Sequence, residues 1–348
     1  MPRAPKNIHP ESLTPAVIAA WNEVLEVAVL FRDMAPWRWI HGSSILGVRD
    51  LRSGQIDWCS VLGQGGQTFG VAIYSGDAGL GSMQRTYENC AGEFDAMIQQ
   101  TAQVVTFLDR DWVSPDMVAI IKACGRRYRG ANAWPELLVH EPGYYPAPPL
   151  DVHQLQRIAS VLETLLHMCA RPVDIPDWDM HDAHNRPWVA TQGPGREIAL
   201  ERVAMPKIPA PPVPIISVNE VLVAKIRAQG RHNQLIMLMD WFMSTSIIDE
   251  PPGRPFLAAH VTAFSAENGM ILDIEIGRLE TVWQDMAALL LKLVADNGVP
   301  AQVMLRRPEG MRILAPLAVA LGIELVLHPK GDEIVRDFLD HMDSFGMR

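Results

Sequence analysis

The chain has 348 residues, of which 48% are hydrophobic and 20% charged, and its net charge is −10. This length and composition predict about two globular domains and argue against general disorder. The negative charge disfavours binding to nucleic-acid phosphates, unless basic residues cluster locally.

The four cysteines point to a reducing compartment. Cys59, Cys90, Cys124 and Cys169 are widely spaced and form no CxxC pair, so neither a disulfide framework nor a zinc site is predicted. The first residues lack the apolar stretch of a signal peptide, and no apolar run is long enough to cross a membrane. We therefore expect a cytoplasmic protein without a membrane segment, and no cofactor is predicted.

The first 170 residues predict an N-terminal α+β domain. Thr14 and Pro15 are typical of a helix start, and Pro36 should end that helix. Three strands joined by two glycine-bearing turns should then form an antiparallel meander. Helices and strands alternate after it. The predicted strands are 44–48, 55–62, 68–74, 104–108 and 137–140, and the later helices are 82–102, 114–125 and 151–168.

Residues 171–216 are predicted to be a polar, proline-rich connector. Within it, Met205–Pro214 has five prolines, which exclude a helix or a central strand and favour an extended polyproline II conformation.

Residues 217–348 predict a second α+β domain. Ser217 to Glu220 match a capping box, which should start a helix. The remaining predicted helices are 234–244, 280–297, 310–321 and 332–342, and the strands are 255–264, 270–276, 301–305 and 323–328.

The predicted fold class is α+β, with α/β-like features. Two similar units are expected, each a mixed sheet of β-β-(β)-α-β-α-β-α order with helices packed on it. The segments 105–125 and 303–322 both combine a buried strand, an arginine-bearing loop, an apolar helix and a terminal glycine. The second domain could therefore be a divergent copy of the first. The alternative is that any two units of this class share the same order.

The chain resembles an uncharacterised bacterial family of two successive domains of unknown function. The residues that carry this resemblance are Trp37, Gly63, Tyr74–Gly76, Trp134-Pro135, Pro142–Tyr144 and Arg254-Pro255. The resemblance covers most of the chain and implies no activity, cofactor or catalytic residue. The order of elements also resembles the ribonuclease H-like fold, with one strand fewer in the second half. A shared fold does not transfer a function.

Two segments have the composition of ligand sites without the required pattern. Gly63–Gly66 is followed by a predicted strand instead of the helix that a phosphate-binding loop needs, so we predict a hairpin turn. His181 and His184 lie among aspartates and could bind a divalent metal. Their spacing matches no established metal motif, and no metal site is predicted.

A metal-dependent nucleic-acid-processing enzyme of ribonuclease H-like fold is one alternative. Such an enzyme needs carboxylates that converge on two Mg²⁺ ions, from the first strand and from the end of the fourth. Asp50 follows the first predicted strand, and Asp109 and Asp111 follow the fourth, so only the N-terminal half could hold this site. Asp50 could equally be a turn residue. The chain contains no GxSxG motif, and no catalytic function is predicted.

A non-enzymatic binding or interaction protein is the favoured function, with a protein or a small molecule as the unknown partner. Arginines and aromatic residues, which are enriched at interfaces and stacking sites, follow the end of the fourth strand. The alternative is that the aromatic residues only fix loops to the sheet. The candidate binding residues are Asp50, Asp109, Arg110, Asp111, Trp112, Arg127, Trp134, Tyr144 and Tyr145.

Overall fold

The chain divides into two compact units, each with its own mixed β-sheet. The computed structural model describes residues 8, 10–88, 100–170, 186–193, 197–209, 212, 214–250 and 253–328. The first unit comprises Met1–Pro142 and Pro146–Pro209, and the second comprises Gly143–Tyr145 and Ala210–Arg348. The predicted α+β class with two sheet-bearing units is confirmed.

The first unit contains a seven-stranded sheet in the order β5-β4-β3-β2-β1-β6-β7. All neighbouring strands are antiparallel except β1 and β6, which are parallel. Its described helices and strands are α1 (Pro15–Met34), β1 (Ile45–Arg49), β2 (Ile56–Leu62), β3 (Phe69–Ser75), α2 (Gly76–Glu88), β4 (Ala102–Leu108), α3 (Pro115–Ala123), β5 (Trp134–His140), α4 (Val152–Cys169), β6 (Trp188–Gln192) and β7 (Ile198–Arg202).

Helices cover both faces of this sheet. The larger core joins the sheet to α1, α3 and α4 through buried side chains such as Trp21, Phe107 and Leu162. The smaller core, on the other face, contains Leu80 and Met83 of α2. This layered arrangement buries the apolar residues of both faces.

Helix starts in the first unit follow from local sequence. The Thr14 side chain accepts a hydrogen bond from the backbone of Val17, and Pro15 occupies the first turn, as predicted. Ser114 and Asp151 cap α3 and α4 in the same way. The end of α1 is also confirmed, since its C-cap Ala35 has a left-handed backbone with φ of 53°.

Two predictions for the first unit are corrected. Helix α2 begins at Gly76 rather than at Ser82, and Gly79 and Gly81, which are typical of a loop, lie inside its first turns. The segment predicted to be a connector contains β6 and β7, which extend the sheet beside β1. The proline-rich stretch has neither helix nor strand among its described residues, as predicted. It packs against α2, where the Gln84 side chain donates a hydrogen bond to the Pro206 carbonyl.

The second unit contains a five-stranded sheet in the order β10-β9-β8-β11-β12. Strands β10, β9 and β8 are antiparallel neighbours, and β8, β11 and β12 are parallel. Its described helices and strands are α5 (Glu220–Gln229), β8 (Ile236–Ile248), β9 (Phe256–Ser265), β10 (Ile271–Gly277), α6 (Val282–Asn297), β11 (Gln302–Leu305), α7 (Pro308–Leu321) and β12 (Glu324–Leu327).

The helix predicted over residues 234–244 is wrong, because this segment forms the central strand β8. Its neighbours β9 and β11 cover both edges, and residues 237–244 are buried. A strand buried on both faces is apolar throughout, so it shows no two-residue alternation that would separate it from a buried helix.

The capping box is corrected as well. Helix α5 is capped by Asn219, whose side chain accepts a hydrogen bond from the backbone of Leu222. Ser217 instead forms backbone hydrogen bonds to the side chain of Gln284 on α6. The predicted final helix, 332–342, lies outside the described residues.

Because residues 236–248 form a strand, the described part of the second unit has, after α5, the order β-β-β-α-β-α-β. This agrees with the first seven elements of the β-β-β-α-β-α-β-α order that resembles the ribonuclease H-like fold. In the first unit the fourth strand, β4, continues the antiparallel meander, whereas in the second unit the fourth strand, β11, lies parallel to the first. The two segments compared for duplication therefore occupy different positions in their sheets, and the duplication is not confirmed. Within the described residues, no helix is both long and apolar enough to span a membrane.

Candidate functional site

The carboxylates considered for a nuclease site in the first unit do not converge. Strands β1 and β4 are separated by β2 and β3, which is three strand spacings or about 14 Å. Each successive pair is antiparallel, so β1 and β4 run in opposite directions. Asp50 and Asp109 follow the carboxyl ends of these strands and therefore lie at opposite edges of the sheet.

Asp50 has the contacts of a turn residue. Its Oδ1 accepts a hydrogen bond of 2.7 Å from the backbone N–H of Arg52. That hydrogen bond is the main reason why the pKa of Asp50 is lowered, since it stabilises the carboxylate form. Asp50 is therefore separate from the other candidate binding residues.

Asp109 joins two loops at one edge of the first sheet. Its Oδ1 accepts a hydrogen bond of 2.8 Å from the backbone of Asn132, and its carbonyl accepts one of 3.0 Å from Trp112. Strands β4 and β5 pair as far as Leu108 and Trp134, which brings the loops together. Asp109 therefore links the loop after β4 to the loop before β5, and its side chain is already engaged.

Arg110 and Trp134 form the centre of this edge. The Arg110 guanidinium carbon lies 4.9 Å from the centre of the Trp134 ring, a cation–π contact. Tyr128 meets the same indole edge-on, with ring centres 5.9 Å apart and an interplanar angle of 73°. Trp134 thus holds an exposed arginine and a partly buried tyrosine in fixed positions.

The surrounding side chains are exposed and carry a local excess of positive charge. Trp112 is 71% exposed, which is unusual for so large an apolar side chain. Arg127 and Arg129 are exposed and have no hydrogen-bonded or ion-pair partner among the described residues. Residues 109–112 and 126–134 contain four arginines and two aspartates, a formal charge of +2. Of these arginines, Arg126 is half-buried and pairs with Glu26 at 3.5 Å. We call these two segments the arginine–aromatic surface.

Tyr144 and Tyr145 belong to the second unit. Tyr144 stacks against Arg254, whose guanidinium carbon is 5.0 Å from the ring, and its hydroxyl hydrogen-bonds Glu280 at 3.2 Å. The backbone of Tyr145 donates to the Pro255 carbonyl. These contacts fix a loop beside β9 within the second unit.

Sequence reasoning missed a buried ionic cluster in the second unit. Asp240, on the central strand β8, is 2% exposed. Arg306 donates through Nε to its Oδ2 at 2.5 Å, and Arg307 donates through Nε to its Oδ1 at 3.2 Å. The Arg307 guanidinium also lies 4.0 Å from the Trp241 ring. Asp240 was missed because this segment was predicted to be an internal helix, although a lone acid in an apolar run indicates a buried partner.

The position of this cluster bears on the ribonuclease H-like comparison. The acid on the first strand of the unit faces two arginines after the fourth, where a nuclease would place a second carboxylate. Among the described residues, no three histidine, cysteine, aspartate or glutamate side chains form a group able to hold a metal ion. His181 and His184 lie outside the described residues.

Comparison with known families gives two matches along the chain. Residues 21–189 match a domain of unknown function, DUF7309, and residues 222–346 match a second one, DUF6930. No curated protein matches the chain. The chain therefore carries two domains of unknown function in tandem, which confirms its resemblance to an uncharacterised family of tandem domains.

Proposed function

We propose that the protein is a non-enzymatic interaction protein whose first unit binds an acidic segment of a partner protein at the arginine–aromatic surface. The observation that carries this proposal is the combination of a highly exposed Trp112 with Arg110 held against Trp134. Tryptophan and arginine dominate the binding energy of many interfaces. Since Arg110 is already positioned by the indole, little side-chain entropy is lost when it binds a carboxylate.

Charge supports an acidic protein segment over a nucleic acid. The surface has a formal charge of +2 in a chain whose net charge is −10. A local positive patch attracts carboxylates at short range, whereas a long polyanion also meets the repulsion of the remaining surface. Arg127 and Arg129 are exposed beside Tyr128 and add donors at the rim.

The proposed location is the cytosol. Cys59, Cys124 and Cys169 are free thiols, and Cys90 lies outside the described residues. Burial raises the pKa of Cys169 to about 12, so this thiol stays protonated and unreactive at neutral pH. Free thiols are typical of proteins in a reducing compartment.

The test is a fluorescence anisotropy titration with a short labelled peptide that alternates glutamate with leucine and phenylalanine. Arg110→Ala and Trp112→Ala should each weaken binding by about tenfold or more. Arg312→Ala, the same loss of charge at an exposed position of α7, should leave binding unchanged.

Two further probes define failure. A peptide with glutamine in place of glutamate should bind weakly, because it lacks the carboxylates. If wild type and both surface variants bind all peptides alike, the proposed surface is wrong. If a single-stranded oligonucleotide binds and the acidic peptide does not, the proposed class of partner is wrong.

A further inference from the structure

A cleft of about 620 Å³ lies in the first unit, near the end of α1, and its lining shares Ala131 and Asn132 with the arginine–aromatic surface. This volume is in the range of small-molecule sites, which are typically 300–1,000 Å³. The cleft is lined by charged residues at the end of α1, by the aromatic residues Trp37, Phe69 and Phe107, and by two amide side chains, Gln64 and Asn132. None of these residues is among those chosen from the sequence as binding candidates.

One part of the lining is aromatic and tightly held. The Trp37 indole packs against Phe69 and Phe107, with ring centres 5.3 Å and 6.0 Å apart. Gly63 closes over this indole with φ of 138°, and a Cβ atom there would lie 2.7 Å from Trp37 Cγ. The turn can approach the ring only because residue 63 is glycine, so the aromatic wall is fixed before any ligand arrives.

The two arginines of the lining differ in their contacts. Arg32 is occupied, because it donates to Asp33 at 2.7 Å and 2.9 Å and to the Ala133 carbonyl at 2.8 Å. The Arg38 side chain is exposed and has no hydrogen-bonded or ion-pair partner among the described residues. Two arginines and one aspartate give a formal +1. The partial negative charge at the end of α1, about half a unit, reduces this charge without cancelling it.

We propose that this cleft binds a small aromatic acid, with its ring against the Trp37 wall and its anionic group on Arg38. A planar ring matches the aromatic wall by stacking or edge contacts. The planar guanidinium donates two parallel hydrogen bonds to a carboxylate or a phosphate. Gln64 and Asn132 supply amide groups beside it. This site goes beyond the proposed protein partner and does not depend on it.

The test uses the full-length protein and matched probes in isothermal titration calorimetry. Indole-3-acetate carries the ring and the charge, indole-3-acetamide has the same shape without the charge, and phenyl phosphate replaces the carboxylate. Indole-3-acetate should bind at least about tenfold more tightly than its amide. Arg38→Gln should remove that preference, while Arg312→Gln, an exposed arginine of the second unit, should keep it.

The outcomes separate the two proposals. Arg110→Ala and Trp112→Ala should leave indole-3-acetate binding unchanged, because neither residue lines the cleft. Tighter binding of phenyl phosphate than of indole-3-acetate would assign the anion as a phosphate ester. Equal affinity for the acid and the amide, an unchanged preference in Arg38→Gln, or no binding of any of the three probes would each overturn the proposal.

Discussion

Two groups of arginines in this protein have opposite environments. Arg306 and Arg307 are mostly buried and bind the carboxylate of Asp240, which is 2% exposed. Arg110 is exposed on the first unit and contacts the face of Trp134. In the first environment the guanidinium groups are engaged by Asp240 inside the protein, whereas the second leaves the guanidinium edge available to a partner.

The difference shows whether an arginine contributes mainly to the free energy of folding or to the free energy of binding. A buried ion pair has given up its hydration, so removing one partner leaves an uncompensated charge in the interior. An exposed arginine on an aromatic ring keeps much of its hydration and contributes little to folding, yet it is pre-positioned for recognition. We therefore expect mutations in the cluster to change stability and mutations on the surface to change binding.

The largest expected effect is on the buried cluster. Asp240→Ala leaves Arg306 and Arg307 without their shared carboxylate, so the free energy of unfolding should fall by about 3–5 kcal/mol. Chemical denaturation measures this change. Asp111→Ala, at an exposed aspartate, is the control and should cost less than about 0.5 kcal/mol. Equal effects of the two substitutions would remove the contrast between the regions.

The second effect compares two glycines of the first unit, one in crowded surroundings and one in open space. Gly63→Ala places a Cβ atom 2.7 Å from Trp37 in a backbone region that suits only glycine, and should cost about 3 kcal/mol. Gly54→Ala meets no atom within 4 Å at φ of 71°, and should cost about 1 kcal/mol. Thermal unfolding of both variants gives the difference. A Gly63 variant as stable as the Gly54 variant would show that the aromatic wall can move.

The third effect concerns His140, the last residue of strand β5, which begins at the arginine–aromatic surface with Trp134. Burial lowers the pKa of His140 to about 4, against 6.5 for an ordinary histidine. Below pH 6.5 the unfolded chain therefore binds a proton that the folded chain refuses, and this histidine makes stability fall as the pH falls towards 4. His140→Gln should reduce the loss of stability between pH 7 and pH 5 by about 1–2 kcal/mol.

Urea titrations of wild type and His140→Gln at several pH values check this prediction. Other groups, such as the buried Glu136 with its raised pKa, titrate in both proteins. The difference between the two curves therefore isolates His140. Parallel curves across this pH range would mean that the imidazole is protonated in the folded state as easily as in the unfolded one.

The smallest expected effect on stability is at the arginine–aromatic surface. Trp112→Ala removes a side chain that is 71% exposed, so the free energy of unfolding should change by less than about 0.5 kcal/mol. The same chemical denaturation experiment measures it. A loss of more than about 2 kcal/mol would mean that Trp112 fixes its loop to the fold, as the alternative interpretation of these aromatic residues holds.

Local signals in the sequence predicted most helices and strands, because caps, turns and hydrophobic patterns act within the segment that they start or end. Thr14, Ser114 and Asp151 cap the helices that they were expected to start or precede. Strand β8 could not be predicted in this way, because its burial depends on β9 and β11. Strands β6 and β7 contain many polar residues, so their sequence gives a weak strand signal. They are strands because β6 pairs with β1 and β7 pairs with β6.

The candidate site was predicted in part, for a related reason. Arg110, Trp112, Arg127 and Trp134 are close in sequence to the paired ends of β4 and β5, so their common surface could be inferred. Asp50, Tyr144 and Tyr145 were grouped with them by residue type, which carries no information on sheet order. The cleft at Trp37 joins residues from α1, β3 and β4, so only the tertiary structure reveals it.

The central claim is that the first unit binds through its arginine–aromatic surface, whereas Arg306 and Arg307 of the second unit stabilise its fold. Amide hydrogen exchange of the full-length protein, with and without the acidic peptide, tests this claim most directly. The account predicts that the peptide slows exchange in residues 109–112 and 126–134 and leaves the backbone around Asp240 and Arg306 unchanged. Slower exchange around Asp240 and Arg306, without protection of residues 109–112, would contradict it.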